Sequence, residues 1–333
     1  MNRLALALLL LLLAAGCNRR PVTTPSPRAT PREIFSTKPE PPIEPQVTLV
    51  EARRGFKTRL LRKDRDGTAP DPPPAALFRL VRYESPAGKL AAYLSPDPGD
   101  GKKHPAIIWI FGGFSNGIGS TAWEKPDPKN DQSASAFRKA GIVMMYPSFR
   151  GGNDNPGVKE GFFGEVDDVL AARDFLAEQP FVDPERIYLG GHSTGGTLAL
   201  LAAECSDRFR AVFSFGPVDD VTGYGAKTLP FDVHNPQEVK LRAPERWLHA
   251  VHCPTFVFEG TNRPGNIEAL ALMSQASNNP DLHFLPIEGG NHFSILGPTT
   301  ALVAAKIRRD INKACNIRFS TEELSKPFEK PKG

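Results

Sequence analysis

A serine at the centre of a Gly-x-Ser-x-Gly pentapeptide carries the clearest chemistry in the chain. The pentapeptide runs from Gly191 to Gly195 around Ser193, after an apolar segment over residues 187–190 and before one rich in alanine and leucine. Small residues beside a serine permit the sharp strand-to-helix turn that exposes a nucleophilic hydroxyl. Ser193 is therefore the candidate nucleophile. The alternative is a tight turn in which its hydroxyl only caps the helix.

A candidate general base for this serine lies near the end of the chain. His292 follows a strand-like segment and two glycines, and a helical segment comes after it. A histidine placed after the serine in this way suits the role of taking the serine's proton and returning it to the leaving group. The other six histidines, including His192 within the pentapeptide, lack this context. The alternative for His292 is a loop histidine that caps the last helix.

The elements that must position these residues alternate between strand and helix. Two segments predict an antiparallel hairpin and six short apolar segments predict strands buried on both faces of a parallel sheet. The hairpin covers residues 78–83 and 90–94, and the six strands cover 106–111, 142–146, 187–190, 211–215, 255–258 and 283–287. Helices are predicted over residues 163–178, 194–205 and 300–313. This order predicts an α/β fold with helices on both faces and a site at the carboxyl ends of the strands.

Four further motifs lie next to these elements. They are Phe111-Gly112-Gly113-Phe114, Phe149-Arg150-Gly151-Gly152, Glu165-Val166-Asp167-Asp168 and Val182-Asp183-Pro184-Glu185-Arg186-Ile187. With these motifs, residues 78–315 resemble the α/β-hydrolase superfamily, and within it the catalytic domain of prolyl oligopeptidase-like serine hydrolases. The resemblance implies an enzyme that cleaves ester or short peptide and amide bonds through an acyl-enzyme on Ser193, with His292 as general base.

The acid that orients the base departs from the family pattern. The family places an aspartate three residues beyond the glycine that ends the seventh strand, and that position here is Arg263. Glu259, at the strand end, has a longer side chain that can reach across. Asp219, or its neighbour Asp220, follows the preceding strand, although the corresponding aspartate in peptidase-like relatives is structural. Glu259 and Asp219 both stand as candidates, and a dyad with no acid stays open.

Two backbone N–H groups are expected to stabilise the oxyanion of the acyl intermediate. One belongs to Thr194, and the other to the Gly113–Phe114 turn, where glycine allows close backbone approach. The resemblance places Phe111 at the position of a tyrosine whose hydroxyl is an oxyanion donor in prolyl oligopeptidase. Losing one such donor can lower turnover by about 10²–10³. The phenylalanine therefore favours esters over the more demanding amides.

The N-terminal residues predict a targeting signal rather than a folded element. A basic start and an apolar run over residues 4–16 form a secretory signal that is too short for a stable membrane span. Small residues running into Cys17 resemble the lipobox of bacterial lipoproteins, which implies removal of residues 1–16 and lipidation of Cys17. Asn18 in place of aspartate then implies outer-membrane sorting in a Gram-negative envelope, facing the periplasm or the exterior. The alternative is an ordinary signal peptide with a chance cysteine.

Proline content predicts the domain boundaries. Residues 18–74 hold 12 of the 33 prolines, and proline removes a backbone donor and disfavours helix before it. We therefore expect residues 17–74 to be a basic, disordered tether. Residues 75–318 are then the hydrolase domain and residues 319–333 a C-terminal tail.

Composition excludes several other classes of protein. Of the 333 residues, 40% are apolar and 23% charged, which is typical of a globular protein, and four cysteines rule out a disulfide scaffold. The net charge of +4 is uneven: residues 18–66 are net +6 and Arg3 adds one, so residues 67–333 are net −3. A slightly acidic globular part argues against a nucleic-acid partner. The sequence has no nucleotide loop and no clear metal-ligand set, so we expect no cofactor and no metal.

A second functional hypothesis is a protein that has the hydrolase fold but no catalytic activity. Arg263 and Phe111, at positions where the family has an acid and a tyrosine, also suit a catalytically degraded hydrolase fold that serves as a binding or scaffold lipoprotein. Intact Ser193 and His292 oppose it. The expected partners are a small ester or peptide substrate and, through the lipid anchor, the membrane.

Overall fold

The apolar segments that predicted strands pair into one sheet in the structure, a computed structural model that describes residues 46–329. The strands are β1 (Arg79–Ser85), β2 (Gly88–Leu94), β3 (His104–Ile110), β4 (Val143–Pro147), β5 (Val182–His192), β6 (Val212–Phe215), β7 (Thr255–Asn262) and β8 (Leu282–Asn291). Their order across the sheet is β1-β2-β4-β3-β5-β6-β7-β8. β2 pairs antiparallel with β1 and with β4, and the pairs from β4 to β8 are parallel. The predicted hairpin and parallel sheet are confirmed.

Helices pack on both faces of this sheet. They are α1 (Leu49–Arg53), α2 (Ala136–Lys139), α3 (Gly164–Ala177), α4 (Thr194–Ala203), α5 (Pro236–Lys240), α6 (Ile267–Ala276), α7 (Leu296–Arg309) and α8 (Thr321–Ser325). Short 3₁₀ turns cover Ser120–Ala122, Val221–Tyr224, Ala226–Thr228, Pro244–Arg246, Leu248–Ala250 and Lys326–Phe328. Over residues 46–329, none of the helices is long and apolar enough to cross a membrane. The predicted signal peptide and the lipidation site at Cys17 lie outside the described residues.

Two apolar clusters, one on each face, hold the sheet between the helices. Side chains of α3, α4 and α6 belong to one cluster, and side chains of α2 and α7 belong to the other. Successive residues of β3 alternate between them: Ile108 lies in the first cluster, and Ile107 and Trp109 lie in the second. A strand buried on both faces needs apolar residues throughout. This is why the central strands are continuous apolar runs in the sequence.

The prediction of a disordered tether up to residue 74 is wrong for residues 46–74. Leu49 in α1 is fully buried in the first cluster. Arg53, at the end of the same helix, pairs with Asp167 of α3 at 2.6 Å. Proline removes backbone donors within the segment, but contacts with the domain hold it in place. Such contacts join residues far apart in the chain, so the local pattern gave no sign of them.

Removing residues 46–74 is expected to destabilise the domain. Thr58 donates its hydroxyl to Glu238 at 2.8 Å and accepts from Arg242 at 2.7 Å, and these two partners form a fully buried ion pair. Leaving buried polar atoms without partners costs about 1–3 kcal/mol for each group. We expect the chain that begins at residue 75 to melt at least about 5 °C below the chain that begins at residue 46. Equal melting temperatures by calorimetry would instead support the tether prediction.

The predicted C-terminal tail is also packed against the domain as far as the structure describes it. The ring of Phe319 lies 4.9 Å from that of Phe256 and 5.2 Å from that of Phe258, centroid to centroid. Leu324 in α8 is buried in the second cluster. The tail prediction is therefore wrong for residues 319–329, which pack against β7 through Phe319 and against β8 through α8.

A buried carboxyl group without partners lies just beyond α4. Glu204 is 1% exposed, and neither oxygen of its side chain has a hydrogen-bond partner. Burial raises the pKa of Glu204 well above its ordinary value of 4.5, because the interior disfavours the charged form. The folded protein therefore holds this proton more tightly than the unfolded chain does.

Glu204 is expected to make the folded domain less stable as the pH rises. Its stabilising contribution is fully present below about pH 4.5 and is lost as the pH rises towards the raised pKa. Glu204→Met removes the carboxyl at similar volume, so we expect its free energy of unfolding at pH 8 to exceed that of the wild type by about 1–3 kcal/mol. Urea unfolding at pH 5 and pH 8 measures the difference, with the exposed Glu185→Met as control. A gain that is the same at both pH values would contradict the assignment.

Candidate active site

Ser193 lies in a sharp turn between β5 and α4. Its φ of 56° and ψ of −116° belong to a region that residues with a side chain rarely adopt. The flanking glycines make the turn possible, because a Cβ on Gly191 would overlap the carbonyl of Gly195, and one on Gly195 would overlap the carbonyl of Ile110. The serine side chain makes no capping hydrogen bond to α4. The turn therefore exposes Ser193 at the carboxyl end of a central strand instead of using it as a cap.

His292, directly after β8, forms a hydrogen bond with a buried carboxylate. Its Nδ1 lies 2.8 Å from Oε2 of Glu259, which is fully buried in β7. A carboxylate only accepts, so Nδ1 carries the proton and Nε2 is left free to accept one. The N–H groups of Gly260, at 2.7 Å, and Asn266, at 2.9 Å, donate to the same carboxylate. Glu259 is thus a fully partnered buried acceptor.

The other residues considered for the acid position have different contacts. Asp220 accepts from the N–H of Thr222 at 2.8 Å and so caps the turn over Val221–Tyr224. Arg263, at the position where the family has its acid, pairs with Glu268 on the surface. Since Nδ1 of His292 has one proton and Glu259 accepts it, the geometry favours Glu259 and does not support the alternative prediction of Asp219.

A glycine that the sequence analysis missed makes room for this pair. Gly216, directly after β6, has a φ of 59°, and a Cβ there would overlap Cε1 of His292 and lie 2.9 Å from Oε2 of Glu259. The carbonyl of Gly216 also accepts from the side chain of Asn266 at 2.9 Å. The glycine therefore allows the imidazole and the carboxylate to meet above the end of β6.

His192, which the sequence analysis set aside, fixes the backbone of the candidate base. Its ring is buried, and its Nε2 donates to the carbonyl of His292 at 3.0 Å. Its Nδ1 accepts from the side-chain amide of Gln132 at 2.9 Å. Burial, assisted by the nearby His292, lowers the pKa of His192 to about 3. A neutral His192 therefore links the elbow to the loop that carries His292.

The predicted oxyanion donors lie on two segments that are hydrogen-bonded to each other. The hydroxyl of Thr194 donates to the carbonyl of Gly113, and Gly113 has a φ of 100° that favours glycine. Thr194 is the first residue of α4, so its N–H has no carbonyl partner within the helix. The N–H of Gly112 is already bound to Gln132 at 3.3 Å, which leaves the Gly113–Phe114 part of the turn as the predicted second donor.

Part of the chain is similar to a known family. Residues 128–260 match the model of the prolyl oligopeptidase family. This similarity is in keeping with the prediction of a serine hydrolase. The matched range includes Ser193 and Glu259 and ends before His292.

Solved structures of similar fold confirm the α/β-hydrolase architecture. A puromycin-hydrolyzing peptidase of Mycobacterium tuberculosis superposes with a TM-score of 0.56 at 20% identity, over 69% of this chain and 38% of that one. Dipeptidyl peptidase 4 of Porphyromonas gingivalis gives a TM-score of 0.55 at 19% identity, over 70% and 35% of the two chains.

Curated relatives are similar over parts of their length only. Mouse dipeptidyl peptidase 8 is 29% identical over 186 residues, which are 52% of this chain and 20% of the relative. Prolyl oligopeptidase A of Galerina marginata is 30% identical over 31% of this chain and 14% of its own length. Thiohydrolase aneE of Aspergillus aculeatus is 32% identical over 27% of this chain and 29% of its own length. The chain thus spans less than a third of each.

A hydroxyl that the sequence analysis missed lies beside the candidate nucleophile. Tyr224 shares a hydrogen bond with Thr197 at 2.7 Å and interacts with the Ser193 side chain as well. Burial raises the pKa of Tyr224, so its hydroxyl keeps its proton. Phe111, at the family's tyrosine position, instead stacks on Tyr146 with ring centroids 4.9 Å apart. The only sequence signal for Tyr224 was its place after the sixth strand, close to the predicted site.

A small cavity opens next to the Gly113 turn and the start of α4. It has a volume of about 40 Å³. Its apolar lining consists mainly of Phe111, Phe114, Phe149, Phe162 and Leu198. Glu165 and Lys159 are the charged residues among its lining. A narrow, aromatic pocket therefore lies beside Thr194 and Gly195, the residues that follow Ser193.

Proposed function

We propose that the protein is a serine hydrolase that cleaves ester or short peptide bonds through an acyl-enzyme on Ser193. The observation that carries the proposal is the 2.8 Å hydrogen bond between Glu259 and His292. Burying a carboxylate is costly unless it is partnered, and this one is aligned on an imidazole at the carboxyl end of the sheet. The arrangement supports catalysis over the alternative of a degraded scaffold.

Each residue of the site has a role in the proposed reaction. Ser193 Oγ attacks the acyl carbon while His292 takes its proton, and Glu259 stabilises the resulting imidazolium. The N–H groups of Thr194 and of the Gly113–Phe114 turn stabilise the oxyanion. The proton then passes to the leaving group, and water attacks the acyl-enzyme by the same route. The reaction needs no group beyond these side chains, the substrate and water.

Esters are the proposed preferred substrates. The side chain of Phe111 offers no hydroxyl to the oxyanion, and losing such a donor lowers turnover by about 10²–10³ in other serine hydrolases. Amides have the poorer leaving group and depend more strongly on that donor. The names of the relatives include both peptidases and a thiohydrolase, so similarity to them does not favour one kind of leaving group.

A probe for activated serines tests the proposal directly. A fluorophosphonate should label the wild-type protein, and Ser193→Ala should not be labelled. A panel of p-nitrophenyl esters and peptide nitroanilides then ranks the substrates, with esters expected to turn over faster. If wild type shows neither labelling nor turnover, the binding or scaffold alternative takes the place of this proposal.

We also propose that the protein is a lipoprotein of a bacterial envelope, anchored through Cys17. The support is the sequence alone, in which small residues run directly into this cysteine after a short apolar segment. Cys17→Ser is expected to move the protein from the membrane to the soluble fraction, because a lipid chain contributes about 0.8 kcal/mol for each buried CH₂ group. Cys315→Ser is the control. Unchanged fractionation, with no lipid mass on the N-terminal peptide, would refute the anchor.

A further inference from the structure

One carboxylate oxygen in the aromatic cavity has no partner. Glu165, in the first turn of α3, is 2% exposed and lines this cavity. Its Oε1 accepts from Asn116 Nδ2 at 3.0 Å and from the N–H groups of Glu160, at 2.7 Å, and Gly161, at 3.2 Å. Its Oε2 is buried and has no hydrogen-bond partner. Glu165 therefore has one oxygen that fixes the neighbouring loop and one that is available.

The cationic side chains near Glu165 form their hydrogen bonds and ion pairs with other groups. Arg150 pairs with Asp168 at 2.9 Å and with Glu160 at 2.7 Å. Lys159 donates to the carbonyl of Phe114 and lies over the ring of that residue. Among residues 46–329, no cationic side chain forms an ion pair with Glu165. Arg150, Lys159 and Arg242 interact with the charge of Glu165 at longer range, so Oε2 itself has no cation in direct contact.

The aromatic lining suits the same kind of ligand. The faces of phenylalanine rings attract organic cations, and the attraction increases when water is excluded. The position of Lys159, 5.6 Å from the centroid of Phe114, shows that the rim of this cavity already holds an ammonium group. Burial lowers the pKa of Lys159, because it disfavours the charged form. A second, smaller ammonium group can lie deeper, next to Oε2 of Glu165.

We propose that this cavity binds the ammonium end of a short aminoacyl group, and that the enzyme prefers acyl groups ending in a cation. The inference rests on the proposed function, because it takes the occupant of the cavity to be the acyl group on Ser193. A volume of about 40 Å³ admits only a few atoms beyond the acyl carbon. The substrate class is therefore short aminoacyl esters, with the amino group two or three bonds from the carbonyl.

Two esters of equal length test the preference. p-Nitrophenyl 3-aminopropionate and p-nitrophenyl butyrate differ only in a terminal ammonium or methyl group. The wild type should favour the amino ester by at least about tenfold in kcat/KM, which corresponds to about 1.4 kcal/mol. Glu165→Gln should lower this ratio at least about tenfold, since it keeps an acceptor for the two loop N–H groups and replaces the free oxygen with a donor. Lys159→Met should raise the ratio, because it removes the competing cation.

A binding measurement separates this inference from the proposed function. On the Ser193→Ala protein, propylammonium should bind at least about tenfold more tightly than to the Ser193→Ala/Glu165→Gln protein, while 1-propanol should not discriminate. Equal melting temperatures of the wild type and the Glu165→Gln protein show that the substitution has not disturbed the fold. If both esters are hydrolysed and Glu165→Gln leaves their ratio unchanged, the inference is wrong and the hydrolase stands. If propylammonium binds as expected and neither ester is hydrolysed, the hydrolase is wrong and only an ammonium site remains.

Discussion

Ser193→Ala is expected to lower kcat for p-nitrophenyl esters by about 10⁶-fold, the size of effect found where a serine and its base act as a unit. His292→Ala should lower it by nearly the same factor, because a serine hydroxyl without a base is a weak nucleophile. KM should change little in both variants, since neither side chain is proposed to bind the substrate in its ground state.

The combined variant is the sharper part of this experiment. Residues that work in one chemical step are not additive, so Ser193→Ala/His292→Ala should be no slower than either single variant. Ser206→Ala, at a half-buried position, and His252→Ala, at an exposed one, are the matched controls outside the site and should keep wild-type turnover. If Ser193→Ala retains a tenth or more of the activity, another nucleophile is responsible.

The parts of the site that the sequence predicted are those that depend on local chain geometry. A Gly-x-Ser-x-Gly segment between a strand and a helix has few conformations open to it, so Ser193 was recognisable from its neighbours. His292 was recognisable from its place between the last strand and the last helix. Ser193 also follows a strand that is buried over residues 187–192, and His292 follows a half-buried edge strand; the apolar residues of both are visible in the sequence.

The acid was left open because its position depends on how distant segments meet. Glu259 lies four residues before the position where the family has its acid, and it reaches His292 because Gly216 of a neighbouring strand leaves space between them. No residue near Glu259 in the sequence indicates that Gly216 leaves this space. The free oxygen of Glu165 was not predictable either, since two N–H groups of the preceding loop and the distant side chain of Asn116 all donate to its other oxygen.

For residues 46–74 the sequence predicted disorder where the structure has a packed segment. Its prolines predicted disorder because they remove local backbone partners, and a local argument has no access to contacts such as that of Arg53 with Asp167. Proline limits helix and sheet within a segment, but it does not prevent the segment from packing against a domain that supplies the donors and acceptors.

The second large effect on kcat is expected when the carboxylate of Glu259 is replaced. Glu259→Gln should lower kcat by at least about 10² and up to about 10⁴, the loss found when a triad carboxylate becomes an amide. The amide no longer stabilises the imidazolium, and its N–H group can face Nδ1 of His292 and favour the wrong tautomer. Asp219→Asn should stay within about threefold of wild type, because the carboxylate hydrogen-bonded to His292 Nδ1 is that of Glu259.

The loss of kcat in Glu259→Gln is catalytic only if the variant stays folded, and a shorter side chain that keeps the charge tests the role of the carboxylate. Glu259 also accepts from Gly260 and Asn266, so the variant needs a melting curve, and only a loss of kcat in a folded protein counts. Glu259→Asp keeps the charge but shortens the side chain by one methylene, so it should recover part of the activity only if charge at this position is what matters. Asp220→Ala removes a turn cap worth about 1 kcal/mol and should lower the melting temperature without lowering kcat. If Glu259→Gln turns over esters at the wild-type rate, the protein works with a Ser193–His292 dyad, and the buried carboxylate is structural.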